Sequence, residues 1–399
     1  MGRQRANQQV VDASSDDQVH DDRATTSPTA DRRAGVVVRI EARPDAATRA
    51  SWDRLVSQTP GSDVAQLSSW AAVRQRAGYA PLFIVASVHG QLVGGAMVLH
   101  RRVMPGLGSL AYLPLGPVLP AGACRDETMD AVCDAIADLA RHRFAAMFVQ
   151  PMAGDQGVSD RLLQRGFRPS TAGIAPAASI AIDLSEPHSG LRSGTRASIK
   201  RAALHGVQVR RASVADLPAV AGLLADTAEH HGFPAVSLDY LRGLHEALTP
   251  GDHLQIFLAE RDGTPLAADV LTGSGGVLTL RLTGMSRDQD TRKIGAAALL
   301  RWETMVWARA NGYDTLDLGG IAPTAVDAIR AGHAGLAGRV DGRTYFKASF
   351  GGQAFHRPTA VESLSTPVRI GYDLIRRSPH SGQLLRTAKQ LLRDPRHRR

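Results

Sequence analysis

Apolar residues recur along the chain with two different spacings, and these spacings predict its helices and strands. Several segments repeat apolar residues every three or four positions, as amphipathic helices do, and "ETMDAVCDAIADLARHR" is the clearest of them. Other segments are short apolar runs typical of strands. Two of these runs, "LFIVASVHG" and "QLVGGAMVLHRRV", are predicted to form a β-hairpin. The pattern therefore predicts a mixed α/β protein.

The predicted elements follow one another in an order that is repeated. From residue 36, a strand leads to two helices, two antiparallel strands, a helix and a strand. From about residue 180, a second series of helices and antiparallel strands ends in a long helix and the strand "YDTLDLGG". Two such passes predict a duplicated α/β unit with mixed, largely antiparallel sheets.

The amino-acid composition indicates where these units begin and end. Residues 1–35 are rich in Asp, Arg, Ser, Thr and Gln and contain no Phe, Trp or Tyr, which predicts a disordered segment. The first α/β domain is predicted to span residues 36–179 and the second residues 180–366. A basic helical tail is predicted for residues 367–399. With 399 residues, 43% of them hydrophobic, the chain can bury two cores.

The formal net charge of +9 favours a polyanionic partner. Residues 367–399 hold nine Lys and Arg residues against two Asp residues, so most of the excess lies in the tail. We expect a cytoplasmic protein, because no apolar run approaches the roughly 18 residues of a membrane span and the first residues lack a signal-peptide pattern. The tail leucines, Leu384, Leu385, Leu391 and Leu392, are spaced for an apolar stripe, so a peripheral contact with anionic lipid at the inner face of the cell membrane is an alternative.

The first candidate binding element is a basic helix. Arg192, Arg196 and Lys200 recur every four residues and would share one helical face. No acidic residue occurs between Glu186 and Asp216 to pair with them. This arrangement favours a phosphate-bearing partner, and a solvated helix face is the alternative.

A second candidate follows the strand "VLTLRLTGM". Arg292, Gly295 and Ala297 stand at the predicted start of a helix, in a pattern that resembles the pyrophosphate-binding turn of the GNAT acyltransferases. Small residues there allow a phosphate to reach the free backbone N–H groups of the helix. An ordinary helix start is the alternative.

A third candidate is the segment "YFKASFGGQ", which places Lys347 between Phe346 and Phe350 and before a glycine pair. The simplest interpretation is a strand from which Lys347 points outward, with both phenylalanines in the core and a turn at the glycines.

Taken together, these segments resemble the FemABX family, the aminoacyl-tRNA-dependent transferases that add amino acids to peptidoglycan precursors. "QLSSWAAVRQRAG", "YLPLGPV", the basic helix, "LLRWETMVWARANGYDTLDLGG" and "YFKASFGGQ" occur in the family's order. The resemblance covers roughly residues 36–370 and implies two tandem GNAT-like domains. The implied partners are aminoacyl-tRNA and a UDP-linked or lipid-linked peptidoglycan precursor, and neither DNA nor a metal or organic cofactor is implied.

The resemblance also implies roles for residues of the second domain. It implies that Lys347 lies in the substrate channel, where its charge would stabilise the oxygens that become negative during acyl transfer. Phe346 would line the site, and Gly351 and Gly352 would let the backbone bend close to the substrate. Asp317 is a candidate general base, and bracing of the turn that follows it is the alternative.

In the first domain, the resemblance implies that Arg74 binds the precursor's phosphates. Arg74 follows Trp70 by four positions, so both would lie on one helical face. Arginine stands where relatives often have lysine, which changes the geometry of phosphate binding. Tyr240 is implied to lie near the precursor. The long helical hairpin of some relatives has no counterpart after Gly206, so a tRNA contact would use the basic helix, the tail or both.

Two other functions remain open. A GNAT-type N-acyltransferase would take its acyl group from acyl-CoA held at Arg292, Gly295 and Ala297. A catalytically silent phosphate- or RNA-binding protein would keep the scaffold without needing Lys347. The fold alone does not decide among them.

Overall fold

The computed structural model describes residues 35–104, 108–187, 190–287, 293–332, 336 and 338–377. Residues 1–34, for which disorder is predicted, lie outside this range. Residues 378–399, which include the four tail leucines, also lie outside it, as does Arg292.

The first sheet has seven strands, of which one neighbouring pair is parallel. Its strands are β1 (Val36–Glu41), β2 (Ala80–Val88), β3 (Gln91–Met104), β4 (Gly108–Leu113), β5 (Ala146–Val149), β6 (Arg168–Pro169) and β14 (Val361–Leu364). They are ordered β1-β2-β3-β4-β5-β14-β6, and β4 with β5 is the parallel pair. The accompanying helices are α1 (Ala46–Gln58), α2 (Ser68–Gln75), α3 (Arg125–His142) and α4 (Gln156–Gln164).

The second sheet repeats this plan. Its strands are β7 (Ala178–Asp183), β8 (Gln208–Arg211), β9 (Leu254–Arg261), β10 (Thr264–Ser274), β11 (Val277–Met285), β12 (Thr315–Ile321) and β13 (Gln353–His356). They are ordered β13-β7-β12-β11-β10-β9-β8, and β11 with β12 is the parallel pair. The helices are α5 (Ser193–Leu204), α6 (Leu217–His231), α7 (Leu238–Leu248), α8 (Ala296–Ala310), α9 (Ala325–Arg330) and α10 (Gly342–Ala348). A last helix, α11 (Thr366–Arg377), follows β14 of the first sheet.

In each sheet, a helix connects the two strands of the parallel pair and covers the sheet. α3 joins β4 to β5, and its buried Val132, Ile136 and Ala140 recur every four residues against the first sheet. α8 joins β11 to β12 and packs its apolar residues against the second sheet in the same way. The duplication predicted from the order of elements is therefore present, and the mixed α/β class is confirmed.

The last strand of the chain crosses between the two units. Residues 361–364 fall within the range predicted for the second domain, yet β14 pairs with β5 and β6 of the first sheet. The segment before β14 therefore runs from one sheet to the other.

The two units also meet at the tip of the β10–β11 hairpin. The backbone N–H of Gly61 donates to the Gly275 carbonyl at 2.9 Å. Arg281 of β11 forms an ion pair with Asp63 at 2.5 Å. Gly275 has a φ of +54°, and a Cβ there would lie 2.3 Å from the Thr59 carbonyl oxygen. The hairpin tip therefore approaches the first unit closely because position 275 has no side chain.

We expect Gly275→Ala to lower the free energy of unfolding by about 2 kcal/mol more than Gly263→Ala. Both glycines have positive φ, at +54° and +75°, so both alanines incur the strain of the left-handed region. A Cβ at Gly263 meets nothing within 4 Å, whereas one at Gly275 meets the first unit. Urea denaturation of the two variants measures the difference, and equal losses would contradict the close contact.

Candidate active site

Lys347 lies on α10, so the interpretation of its segment as a strand is wrong. The Asp341 side chain caps α10 by accepting hydrogen bonds from the backbone N–H groups of Arg343 and Thr344, at 3.0 and 3.2 Å. This cap supports helix formation in spite of the aromatic residues that favour strands. Asp341 is therefore the local signal that places Lys347 on a helix.

The side chain of Lys347 is partly buried and points at the end of β12. Its Nζ donates to the Gly320 carbonyl oxygen at 2.8 Å. The pKa of Lys347 is lowered to about 8, chiefly by burial and also by the positive charge of Arg301, and the negative charge of Asp317 opposes this shift. The amine is therefore mostly protonated at pH 7 in a partly dry environment, where its charge acts strongly on nearby groups.

The carbonyl that holds Lys347 belongs to a distorted turn over residues 317–320. The pairing of β12 with β7 shifts register between Asp317 and Gly320, and Gly319 has a φ of +77°. A Cβ at Gly319 would lie 3.3 Å from the Leu280 carbonyl oxygen and 3.8 Å from Lys347 Nζ. The irregularity lets the backbone present the Gly320 carbonyl to the amine.

Asp317 braces this turn with both of its carboxylate oxygens. Oδ1 accepts from the Ser179 hydroxyl at 2.5 Å and from the Gly319 backbone N–H at 2.7 Å. Oδ2 accepts from Arg357 at 2.5 Å, and the Asp317 residue is 6% exposed. These contacts favour the bracing alternative over the general-base interpretation, because both oxygens are already engaged with the protein.

A buried ion pair beside Lys347 was missed by the sequence analysis. Arg301 of α8 donates to Asp269 of β10 at 2.9 Å, and Thr283 donates to the same carboxylate oxygen at 2.9 Å. Asp269 is fully buried, and burial raises its pKa. The available signal was a charged residue within an apolar run at each position, "LAADVL" and "AAALLRW".

Phe346 and the glycine pair pack closely against neighbouring parts of the second unit. The rings of Phe346 and Phe350 meet edge to face with centroids 5.2 Å apart. Gly351 has a φ of +86°, and a Cβ there would lie 2.2 Å from the Cα of Gly190. A Cβ at Gly352 would lie 2.4 Å from the Ile180 side chain. The close approach that these glycines allow is thus to the segment before α5 and to β7.

The basic helix lies next to α10. The Ser349 carbonyl accepts from the Arg192 backbone N–H at 3.1 Å and from the Thr195 hydroxyl at 3.2 Å. The Arg192 guanidinium lies 5.0 Å from the centre of the Tyr345 ring. Arg196 and Lys200 are exposed further along α5. Only the first of the three predicted basic residues is therefore placed against the Lys347 helix.

The structure favours packing over phosphate binding at the start of α8. Gly295 has a φ of +90°, and a Cβ there would lie 2.7 Å from the carbonyl oxygen of Ser198 in α5. The Ser198 carbonyl oxygen carries partial negative charge and would repel a phosphate. α5 packs against α8 at this point. Ala297 is partly exposed in the first turn of α8.

Trp70 and Tyr240 pack against the same apolar cluster, where the two units join. Trp70 of α2 packs against the apolar clusters of both units, and Tyr240 of α7 packs in one of the same clusters. The guanidinium of Arg281 lies 5.9 Å from the centre of the Trp70 ring. The two residues predicted to lie near an acceptor are therefore brought together.

Arg74 belongs to a group of cations around Tyr112. Its guanidinium lies 4.7 Å from the centre of the Tyr79 ring. The pKa of Tyr112 is raised to about 12, chiefly by burial and also by Asp63, while Arg74, Arg281 and Arg357 act in the opposite direction. Three arginines from different segments therefore act on one tyrosine at the junction.

A cleft of about 400 Å³ opens at this junction. Tyr112 and Gln150 line it from the first unit, and Arg357 and Pro358 line it from the segment that runs to β14. Because Arg357 also pairs with Asp317, one side chain connects the cleft to the turn that holds Lys347.

The described ranges contain neither a metal-binding cluster nor a membrane-spanning helix. No cluster of three or more His, Cys, Asp or Glu side chains is arranged there to hold a metal ion. None of the helices described combines the length and apolar composition that crossing a membrane requires.

Comparisons with known sequences find similarity to an acetyltransferase domain family and to a glycyltransferase. Residues 189–327 match a family of acetyltransferase (GNAT) domains. The chain is 23% identical over 230 residues to the lipid II:glycine glycyltransferase of Staphylococcus aureus strain MRSA252, and the match covers 54% of each protein. The chain thus spans about half the length of the curated relatives it matches.

Comparisons with solved structures concern the fold. FemX has a TM-score of 0.71 at 17% identity, with 85% of this chain and 100% of that chain covered. A tandem GNAT protein from the clavulanic acid biosynthesis pathway has a TM-score of 0.50 at 14% identity, with 82% and 98% covered. The predicted fold of two tandem GNAT-like domains is confirmed. The sequence match together with the shared fold confirms the predicted resemblance to the FemABX family.

We expect Arg301→Met to lower the free energy of unfolding by about 3–5 kcal/mol at pH 7, because it leaves the Asp269 carboxylate buried without its cation. Combining it with Asp269→Asn removes that charge and is expected to restore part of the loss. Urea denaturation of Arg301→Met, of Asp269→Asn and of the double variant completes a double-mutant cycle. Additive losses would contradict the coupling.

Proposed function

We propose, from the resemblance to the FemABX family, that this protein is an aminoacyltransferase. It moves an amino acid from aminoacyl-tRNA to the stem-peptide amine of a peptidoglycan precursor, and so forms an interpeptide bridge. The observation that carries the proposal is the partly buried cation of Lys347, held on the turn over residues 317–320 beside the cleft.

In this reaction, the acceptor amine attacks the carbonyl carbon of the aminoacyl ester. A C–N bond forms, the ester C–O bond breaks, the ribose oxygen leaves with the bonding electron pair, and the proton lost by the amine ends on that oxygen. Negative charge develops first on the carbonyl oxygen and then on the ribose oxygen. A fixed cation in a partly dry site stabilises both, and we assign that role to Lys347.

The acceptor's phosphates would lie at the cationic end of the cleft. Arg74 and Arg281 are close enough to Tyr112, which lines the cleft, to act on its pKa, and the Trp70 ring lies 5.9 Å from the Arg281 guanidinium. UDP-linked and lipid-linked precursors both carry a diphosphate, which guanidinium groups bind well. The stem peptide would then extend past Arg357 toward Lys347.

An acyl-CoA donor has less support. It would need the start of α8, where the Ser198 carbonyl faces Gly295. A silent binding protein has no use for a cation with a lowered pKa in a partly dry site. We place the reaction in the cytoplasm, where charged tRNA is available, with the tail as a candidate membrane contact.

We expect Lys347→Met to reduce label transfer from charged tRNA to a pentapeptide precursor by about 100-fold or more. Burial disfavours the lysine charge, so the same change should not lower the free energy of unfolding. Thermal denaturation checks this. Lys293→Met, at an exposed lysine, is the matched control. Transfer from acyl-CoA alone would contradict the proposal, and so would transfer that survives the loss of Lys347.

The pH dependence of kcat should report the charge of Lys347. The amine is charged below its pKa, so its stabilising effect is present below about pH 8 and is lost as pH rises through that value. Arginine stays protonated throughout, so Lys347→Arg should lower kcat but abolish the decline above about pH 8. An unchanged alkaline decline in Lys347→Arg would assign it to another group.

A further inference from the structure

The strand β1 is at one edge of the first sheet, and its outer side is open. β1 pairs antiparallel with β2 on one side, and within the part of the chain that the structure describes no strand pairs with the other side. It is six residues long. The free N–H and C=O groups along such an edge are a template for pairing with another strand. The outer side of β1 is therefore a candidate interaction surface.

The other three edges of the two described sheets are protected in ways that proteins commonly use. β6 has only two residues, and the second is Pro169. β13 has only four residues. β8 also has four, and its Arg210 and Arg211 form ion pairs with acidic residues of neighbouring segments. β1 contains neither proline nor lysine, and its pairing with β2 has no bulge, so it lacks these protections.

β1 carries apolar side chains on both faces of the sheet. Val36, Val38 and Ile40 alternate along the strand and point toward the apolar cluster that α3 covers. Val36 is buried there, whereas Val38 and Ile40 are only partly buried. On the opposite face, Val37 is 54% exposed, and its neighbour Arg39 is also exposed. Apolar surface on both faces of an open edge favours a partner strand that covers it.

We propose that β1 pairs antiparallel with β1 of a second copy of this chain, across a two-fold axis that passes beside Val38. The two seven-stranded sheets are then joined edge to edge. In this register Val38 lies opposite the partner's Val38, and Val36 lies opposite the partner's Ile40. Each apolar side chain on the α3 face of β1 therefore meets an apolar side chain of the second copy. On the other face, Val37 lies opposite the partner's Arg39.

The pattern of side chains along β1 favours this register over its neighbours. A one-residue slip of either strand would place residues of opposite faces next to each other. Moving the axis to Arg39 would set Arg39 opposite the partner's Arg39, and like charges directly opposite are destabilising. Moving it to Val37 would leave Ile40 without a partner inside β1. The apolar residues are thus arranged symmetrically about Val38, as an isologous pairing requires.

A second copy fits this edge better than the remainder of the same chain, and it leaves the candidate active site open. Residues 1–34, which precede β1, contain no strand-like run of apolar residues. In the first sheet, β1 is at the opposite end from β14 and β6, whereas the cleft is lined by residues of β4, β5 and the segment leading into β14. Pairing through β1 therefore does not cover the cleft, and this inference does not depend on the proposed function.

Sedimentation velocity of the full chain and of two charge variants tests the pairing. We expect wild type to form a dimer at micromolar concentration. Val37→Lys would face the partner's Arg39 twice in the dimer, whereas Val37→Glu would form two pairs of opposite charge. Both variants replace the same exposed side chain, so the comparison isolates the contact across the axis. We expect the dimer of Val37→Glu to be about ten-fold tighter than that of Val37→Lys.

A disulfide across the axis tests the register. In a Cys124→Ser background, which leaves only the buried Cys133, we expect Val38→Cys to cross-link two copies under mild oxidation. Opposite Cα atoms of antiparallel strands are about 5 Å apart, within reach of a disulfide. Arg39→Cys is the matched control, because its counterpart would be displaced by two residues and lie about 7–8 Å away.

Three outcomes would overturn the inference. One is a monomer throughout the micromolar range, and slow amide exchange along the outer edge of β1 in that monomer would assign the edge to residues 1–34 instead. Another is a dimer with the same dissociation constant in Val37→Lys and Val37→Glu, which would place the contact elsewhere. The third is a dimer in which Arg39→Cys cross-links and Val38→Cys does not. Label transfer should be the same in Val37→Lys and wild type, so the proposed function is tested separately.

Discussion

The position of the Lys347 amine depends on the short turn at the end of β12. Lys347 donates to the Gly320 carbonyl, and that carbonyl faces the amine because Gly319 adopts a left-handed conformation. Asp317 fixes the turn by binding the Gly319 N–H, the Ser179 hydroxyl and Arg357 together. A carboxylate engaged in this way makes the turn rigid, and a rigid turn keeps a cation with a lowered pKa at one point in a partly dry site.

The duplicated fold gives this turn its surroundings. Both units have a helix between the two strands of their parallel pair, and the second unit places its turn just beyond that pair. The chain then passes through α10 and β13 and returns to the first sheet as β14. Arg357 lies on that return, so it both braces Asp317 and lines the cleft between the units. The amine in the second unit and the cations of the first are therefore connected through a segment that belongs to neither sheet.

Local sequence patterns were sufficient for much of the fold. β11 has the bounds of the predicted strand "VLTLRLTGM", and the repeated order of elements indicated the duplication. The patterns failed where a contact links distant segments. β14 pairs with β5 across more than 200 residues, and no local feature of Val361–Leu364 indicates which sheet it joins. The segment around Lys347, which was expected to be a strand, is a helix for a local reason, because Asp341 caps its start.

For the candidate site, the sequence indicated several residues but not the side chains that hold them in place. Motifs indicated Lys347, Trp70 and Arg74, of which Lys347 lies against the turn at the end of β12 and the other two lie on α2. The groups that hold them were not indicated. Arg357 lies 40 residues from Asp317, and the buried pair of Arg301 with Asp269 joins a helix to a strand that precedes it by 32 residues. Each pair neutralises a buried charge with a partner that is distant in sequence. The spacing of residues along the chain therefore does not indicate which residues pair.

The most direct test of the central claim is a crystal structure with a stable phosphonate analogue of the tetrahedral intermediate, linked on one side to a 3′-terminal adenosine and on the other to a stem-peptide amine. The account predicts a phosphonate oxygen within about 3 Å of Lys347 Nζ, with the peptide leading into the cleft beside Arg357. An analogue bound at the start of α8, or one whose oxygens lie away from Lys347, would contradict it.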